Sequence, residues 1–152
     1  MKQTASIFNL FQSPHPAIIT ATQNHTCIAL HRFVNQAIAV LSLKAIHKTE
    51  LLVNNVQYDL MVSTDKTALN TIVNFLLGTV LLHSQDNSIQ VSAKLIGNIT
   101  VMHIKTNDTG QVDAITRHID KIQPMARSIG GCVTISNGKL HGINLAFTFI
   151  NH

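Results

Sequence analysis

The 152-residue sequence has no tryptophan, one tyrosine and only two cysteines. With so few flat rings it offers little on which nucleic-acid bases could stack. Charge is scarce too: 12% of residues are charged, against about a quarter in an average domain. The formal net charge is +4, yet the eleven Lys and Arg residues are scattered and form no run that would track a phosphate backbone. A nucleic-acid partner is therefore not expected. Cys27 and Cys132 stand in no C-x-x-C pair, which predicts two buried free thiols in a reducing compartment. No apolar run is long enough to span a membrane; the longest, Ile72 to Leu82, is interrupted by Asn74 and Gly78. The start, Met1-Lys2-Gln3-Thr4, is not followed by the basic, apolar and cleavable segments of a signal peptide. A soluble, cytoplasmic protein without a membrane partner is expected.

Chemistry-bearing patterns are equally thin. The nine histidines contain no H-x-x-x-H pair, so no metal site is expected. No phosphate-cradling P-loop is present, and no Ser-His-Asp or Cys-His spacing singles out a nucleophile, so no catalytic residue is assigned. His25 and His31 read as surface or packing histidines.

What the sequence has is apolar pattern. At 45% hydrophobic, it can bury one core but is too short for two ordinary domains. Residues 1–24, with Pro14 and Pro16, read as an arm, and residues 25–152 as the domain. From His25 the residues Cys27, Leu30, Val34, Ala37, Ile38 and Leu41 recur at threes and fours and predict a helix ending near Lys44 to His47. Glu50–Val53 and Tyr58–Val62 read as two strands about an Asn54-Asn55 turn. Ser63-Thr64-Asp65 opens a second helix, with Leu69, Ile72, Val73, Leu76, Leu77, Val80 and Leu81 as its apolar face. Asn70, Asn74 and Gly78, four residues apart, stack along its opposite edge.

Ser88–Leu95 and Ile99–Ile104 form a hairpin about Gly97-Asn98. Val112–Ile129 predicts a third helix, with a break or kink at Pro124 and Gly130 as left-handed terminator. Cys132–Ile135 and Ile143–Ile150 predict a last strand pair joined across Asn137-Gly138. The fold class is a two-layer α/β (α+β) sandwich, its mixed, mostly antiparallel sheet covered on one face by three helices.

That element order, from about His25 to Phe149, resembles the histidine-kinase-like ATPase family, whose nucleotide site is built on the Bergerat fold. Three segments carry the resemblance. On the second helix, Asn74 matches the first Asn of the family's N-x-x-x-N motif, and Gly78 stands where the second would hold Mg²⁺. Glycine has no oxygen to offer that ion. Related ATPases place a water-activating Glu at the position of Asn74, and an amide cannot act as a general base.

Asp108-Thr109-Gly110-Gln111-Val112 resembles the D-x-G-x-G turn, in which the Asp holds the adenine amino group and the first Gly admits the base. The second Gly is Val112 here, a β-branched residue that resists unusual backbone angles. Residues 113–122 contain no glycine, so the family's mobile lid and its phosphate-capping G-x-G motif have no counterpart. Met125 to Ser136, with Gly130-Gly131, resembles the last helix and the strand after it.

The resemblance implies Asn70, Asn74, Asp108 and Gly110 as candidate nucleotide-binding residues. Two other roles stand beside these. Asp108 could cap the following helix, and Asn74 could be a helix Asn bonded to a neighbouring loop. ATP or ADP without a normal Mg²⁺ site is the implied ligand, with none as the counter-reading. The implied function is a catalytically degenerate signalling module that binds a protein partner or a second copy of itself. The alternative is a small active switch kinase of the kind that restrains sigma factors.

Overall fold

The computed structural model describes residues 24–44, 52–83, 88–107, 112–138 and 142–152. The predicted arm, residues 1–24, falls outside these but for Asn24. Among the described residues, seven strands and three helices follow one another: β1 (His25–Ala29), α1 (Leu30–Lys44), β2 (Leu52–Asn54), β3 (Met61–Asp65), α2 (Lys66–His83), β4 (Ile89–Ile96), β5 (Ile99–Thr106), α3 (Val112–Ser128), β6 (Cys132–Gly138) and β7 (Gly142–Ile150). The main sheet has the order β2-β4-β5-β7-β6, and β1 and β3 form a separate antiparallel pair. The two-layer sandwich and its mixed, mostly antiparallel sheet are as the sequence predicts: β2 runs parallel to β4, and the other pairs are antiparallel.

Alternation decides which face of the sheet is covered. Met102 and Ile104 on β5, and Leu145, Phe147 and Phe149 on β7, are buried. They join the apolar stripes of all three helices in one core. Along α2 every member of the predicted stripe is buried. Burying side chains of this size supplies roughly 1.5–3 kcal/mol each. Two buried hydroxyls, on Thr64 and Thr100, have no hydrogen-bond partner among the described residues.

Several expectations need correcting. The first helix starts at Leu30; His25–Ala29 is a strand, laid against Met61–Asp65. Leu30, Val34, Ala37 and Leu41 carry the helical stripe, and Cys27 falls in register with them by coincidence. A five-residue strand is too short for its alternation to outweigh a helical pattern running on behind it. The second correction concerns the strands on either side of Asn54-Asn55. β2 pairs with β4 and β3 with β1, so they form no hairpin. The Asn54 side chain turns the chain away instead, accepting the Val56 N–H at 3.0 Å. Third, Asn137 and Gly138 lie inside β6, paired with Ile143 and Gly142, so the connection falls at 139–141.

The ends of α2 and α3 follow local chemistry. Asp65 Oδ1 accepts the Ala68 N–H at 3.1 Å and caps α2. α3 runs through the predicted break at Pro124 as one helix. Its missing donor falls to the carbonyl of Asp120, an exposed residue where water can take over. Gly130, at φ 74°, terminates α3 as expected, with the Gly131 N–H on the Ala126 carbonyl and the Gly130 N–H on that of Arg127, both 2.9 Å. Gly131 must be glycine, since a Cβ there would fall on the Thr148 carbonyl.

Candidate functional site

Of the candidate residues, Asn70 and Asn74 are described, and both lie on α2, the helix that packs beside α3. Asn70 is exposed and Asn74 half-buried, one turn apart on α2. The Asn74 amide donates to the Asn70 carbonyl at 2.8 Å and to the Asn70 side-chain oxygen at 3.1 Å. Both donors of Asn74 are therefore spent on its own helix rather than on a neighbouring loop. Gly78 continues the same line one turn further. A Cβ built there would meet nothing within 4 Å, so the glycine is not required by packing.

Asp108 and Gly110 lie outside the described residues. What flanks them is described. β5 ends at Thr106, and Gly142 supports that end from β7: at φ 72° it packs so closely that a Cβ would fall on the Thr106 carbonyl. α3 starts at Val112, so five residues separate strand from helix. Thr116, on the next turn, donates its hydroxyl to the Val112 carbonyl at 2.8 Å. Between the helices the His118 ring lies 6.5 Å from Phe75 and 5.1 Å from His83, a contact the sequence order does not reveal.

A second polar cluster escapes the sequence reading because its members are up to 25 residues apart. His31 Nδ1 lies 2.6 Å from the Val56 carbonyl. A carbonyl only accepts, so Nδ1 carries the proton and Nε2 is left to accept from the Asn35 amide at 3.2 Å. Asn54 closes the ring, donating to the Asn35 oxygen at 2.8 Å and to the His31 carbonyl at 2.9 Å. Tyr58, 85% exposed, covers the imidazole at 4.0 Å between centroids. Both nitrogens of His31 are occupied, in keeping with a packing histidine. His25, in β1, stacks on His152 at 3.8 Å.

Among the described residues no group of three or more His, Cys, Asp or Glu side chains could hold a metal ion. No described helix is long and apolar enough to cross a membrane. Cys27 and Cys132 are free but exposed, which corrects the buried thiols expected. Each lies on a short or edge strand whose alternation turns it outward, a fact that spacing in sequence does not carry.

No protein-family model matches the chain, and no curated protein matches it. Solved structures do. The chain is similar to the histidine kinase AdeS of Acinetobacter baumannii, with TM-score 0.73, 9% identity, and 85% of this chain and 68% of that one covered. It is similar to the catalytic domain of the histidine kinase ThkA, with TM-score 0.68, 12% identity, and coverage of 84% and 97%. Full-length ShkA, solved in complex with AMPPNP, gives TM-score 0.70 and 14% identity; the match takes in 84% of this chain and 32% of that one. At these identities the likeness establishes the fold: this chain has the architecture of histidine kinase catalytic domains.

Proposed function

We propose that this chain is a signal-transduction module on the histidine-kinase ATPase fold that has lost phosphotransfer and acts by binding a protein partner. The observation that carries the reading is Gly78. It occupies the position at which the resemblance puts the Mg²⁺-holding Asn, and it brings no oxygen. A Cβ built there meets no described residue within 4 Å, so packing among the described residues does not explain why a side chain is missing. Asn74 spends its amide donors within α2. These residues do not fit a Mg²⁺ ion, and no catalytic step is derived through one. Residues 113–122, where the resemblance would put a lid, contain no glycine and lie within α3, which supports the reading. In this reading the partner is a signalling protein or a second copy of the chain, and the setting is cytoplasmic.

A second reading rests on the retained Asp108 and Gly110 and on the AMPPNP complex of ShkA. In it the chain binds an adenine nucleotide, either as a small switch kinase or as a sensor without chemistry. A thermal-shift titration with ATP and ADP, with and without Mg²⁺, separates the readings. A nucleotide at a hundred times its dissociation constant adds about 2.7 kcal/mol of stability. The proposal expects a flat response. A magnesium-dependent shift accompanied by phosphotransfer overturns it, and a shift indifferent to magnesium identifies the sensor.

A further inference from the structure

The main sheet has an unfinished edge. Among the described residues, β2 pairs with β4 over Leu52–Asn54, opposite Ile89–Val91, and Asn55 adds one last bond to the Val91 carbonyl at 2.7 Å. The chain then turns away. β4 runs on to Ile96 with β5 on its other side. The parity of the ladder shows which backbone groups are left over. Asn55 bonds to Val91, so the odd-numbered residues of β4 face β2, while the even-numbered ones face β5 across the Gly97-Asn98 turn. Ala93 and Leu95 therefore aim their N–H and C=O groups at a strand position that no described residue fills.

A groove of about 450 Å³ runs along this edge, lined by Gln57 and Leu60 on the loop side and by Ser92, Lys94 and His103 on the open face of the sheet. Leu95 is 42% and Ile96 57% exposed. Backbone groups left open beside apolar side chains are a template for a further strand.

The charges select the occupant. Lys94 is exposed and, among the described residues, forms no ion pair; Lys105 and His103 share its face of the sheet. Asp59, on the nearby loop, does not line the groove. A second copy pairing edge to edge about Lys94 would set two lysines opposite each other, which destabilises a ladder. We infer that the β4 edge at Ala93–Leu95 is a docking site for an extended acidic peptide segment of a partner protein, added as a further strand. Side chains alternate along a strand, so the segment carries apolar residues toward Leu60 and Leu95 and acidic residues toward Lys94 and His103. This site is distinct from the α2–α3 edge and independent of nucleotide.

The test uses the full chain, isotope-labelled, and two capped peptides, Val-Glu-Val-Glu-Val and Val-Lys-Val-Lys-Val. The acidic peptide is expected to shift the Ala93 and Leu95 amide signals saturably and to slow their hydrogen exchange. It should bind about fivefold tighter than the basic one, the scale of an exposed ion pair. Lys94→Glu should reverse that preference. Leu95→Pro removes one outward donor without touching the β4–β5 ladder and should weaken binding about tenfold. Equal binding of both peptides overturns the proposal, as does the absence of any shift at these two amides. Protection of the two amides in the free chain also overturns it: concentration-dependent protection would point to self-association, and concentration-independent protection to a segment of the same chain on the edge.

Discussion

Replacing Gly78 by alanine tests whether this glycine is an empty place or a filled one. Gly78 lies within α2, well away from either end of the Lys66–His83 helix, and its backbone is not in the left-handed region. An added Cβ meets nothing within 4 Å. With no clash to offset it, the gain is the difference in helix propensity, about 1 kcal/mol. For a domain of this size that raises Tm by about 3 °C. Gly131→Ala provides the contrast. Its Cβ would fall on the Thr148 carbonyl, a backbone atom that cannot swing aside, so the same chemical change should destabilise by at least about 2 kcal/mol. Calorimetry or thermal denaturation followed by circular dichroism reads both. Gly78→Asn should gain less than alanine, and under the proposed function neither variant acquires a nucleotide response. A Gly78→Ala protein less stable than the wild type would refute the reasoning, because something must then occupy the space beside α2. So would a nucleotide-dependent Tm shift present in the wild type and lost in the alanine variant.

Three further outcomes are expected. Asp65→Ala removes the oxygen that caps α2 and should lower stability by about 1 kcal/mol in urea denaturation, with Asp65→Asn largely retaining it. Thr100→Val removes a buried hydroxyl without a partner among the described residues and should stabilise by about 1 kcal/mol, whereas a loss would mean that the hydroxyl is satisfied. Both thiols should react with a colorimetric thiol reagent in the native state without denaturant, since Cys27 and Cys132 are exposed; two silent thiols would contradict their outward orientation.

Long elements were legible in the sequence because their patterns repeat. α2 shows its stripe over several turns, and β4 and β5 flank a Gly-Asn turn that leaves the chain little choice but to reverse. Short elements were not. β1 and β2 span five and three residues, and each pairs with a strand remote in sequence, so neither turn chemistry nor periodicity names the partner. The candidate site divides in the same way. Asn70, Asn74 and Gly78 share an edge because helical spacing requires it. That Asn74 bonds back to Asn70, and that the space beside Gly78 is open, depends on side-chain direction and on neighbours brought in from elsewhere.

By itself, then, the sequence determined the layered fold class, the helical faces and the lack of an oxygen at position 78. These follow from residue identity and local period. Only the tertiary structure decided that His25–Ala29 is a strand, that His31 is held at both ring nitrogens, and that β4 outruns β2, so that no described residue faces the outward backbone groups of Ala93 and Leu95. Each is a pairing between distant segments, selected by which buried surfaces and backbone donors remain to be satisfied once the helices and hairpins have formed.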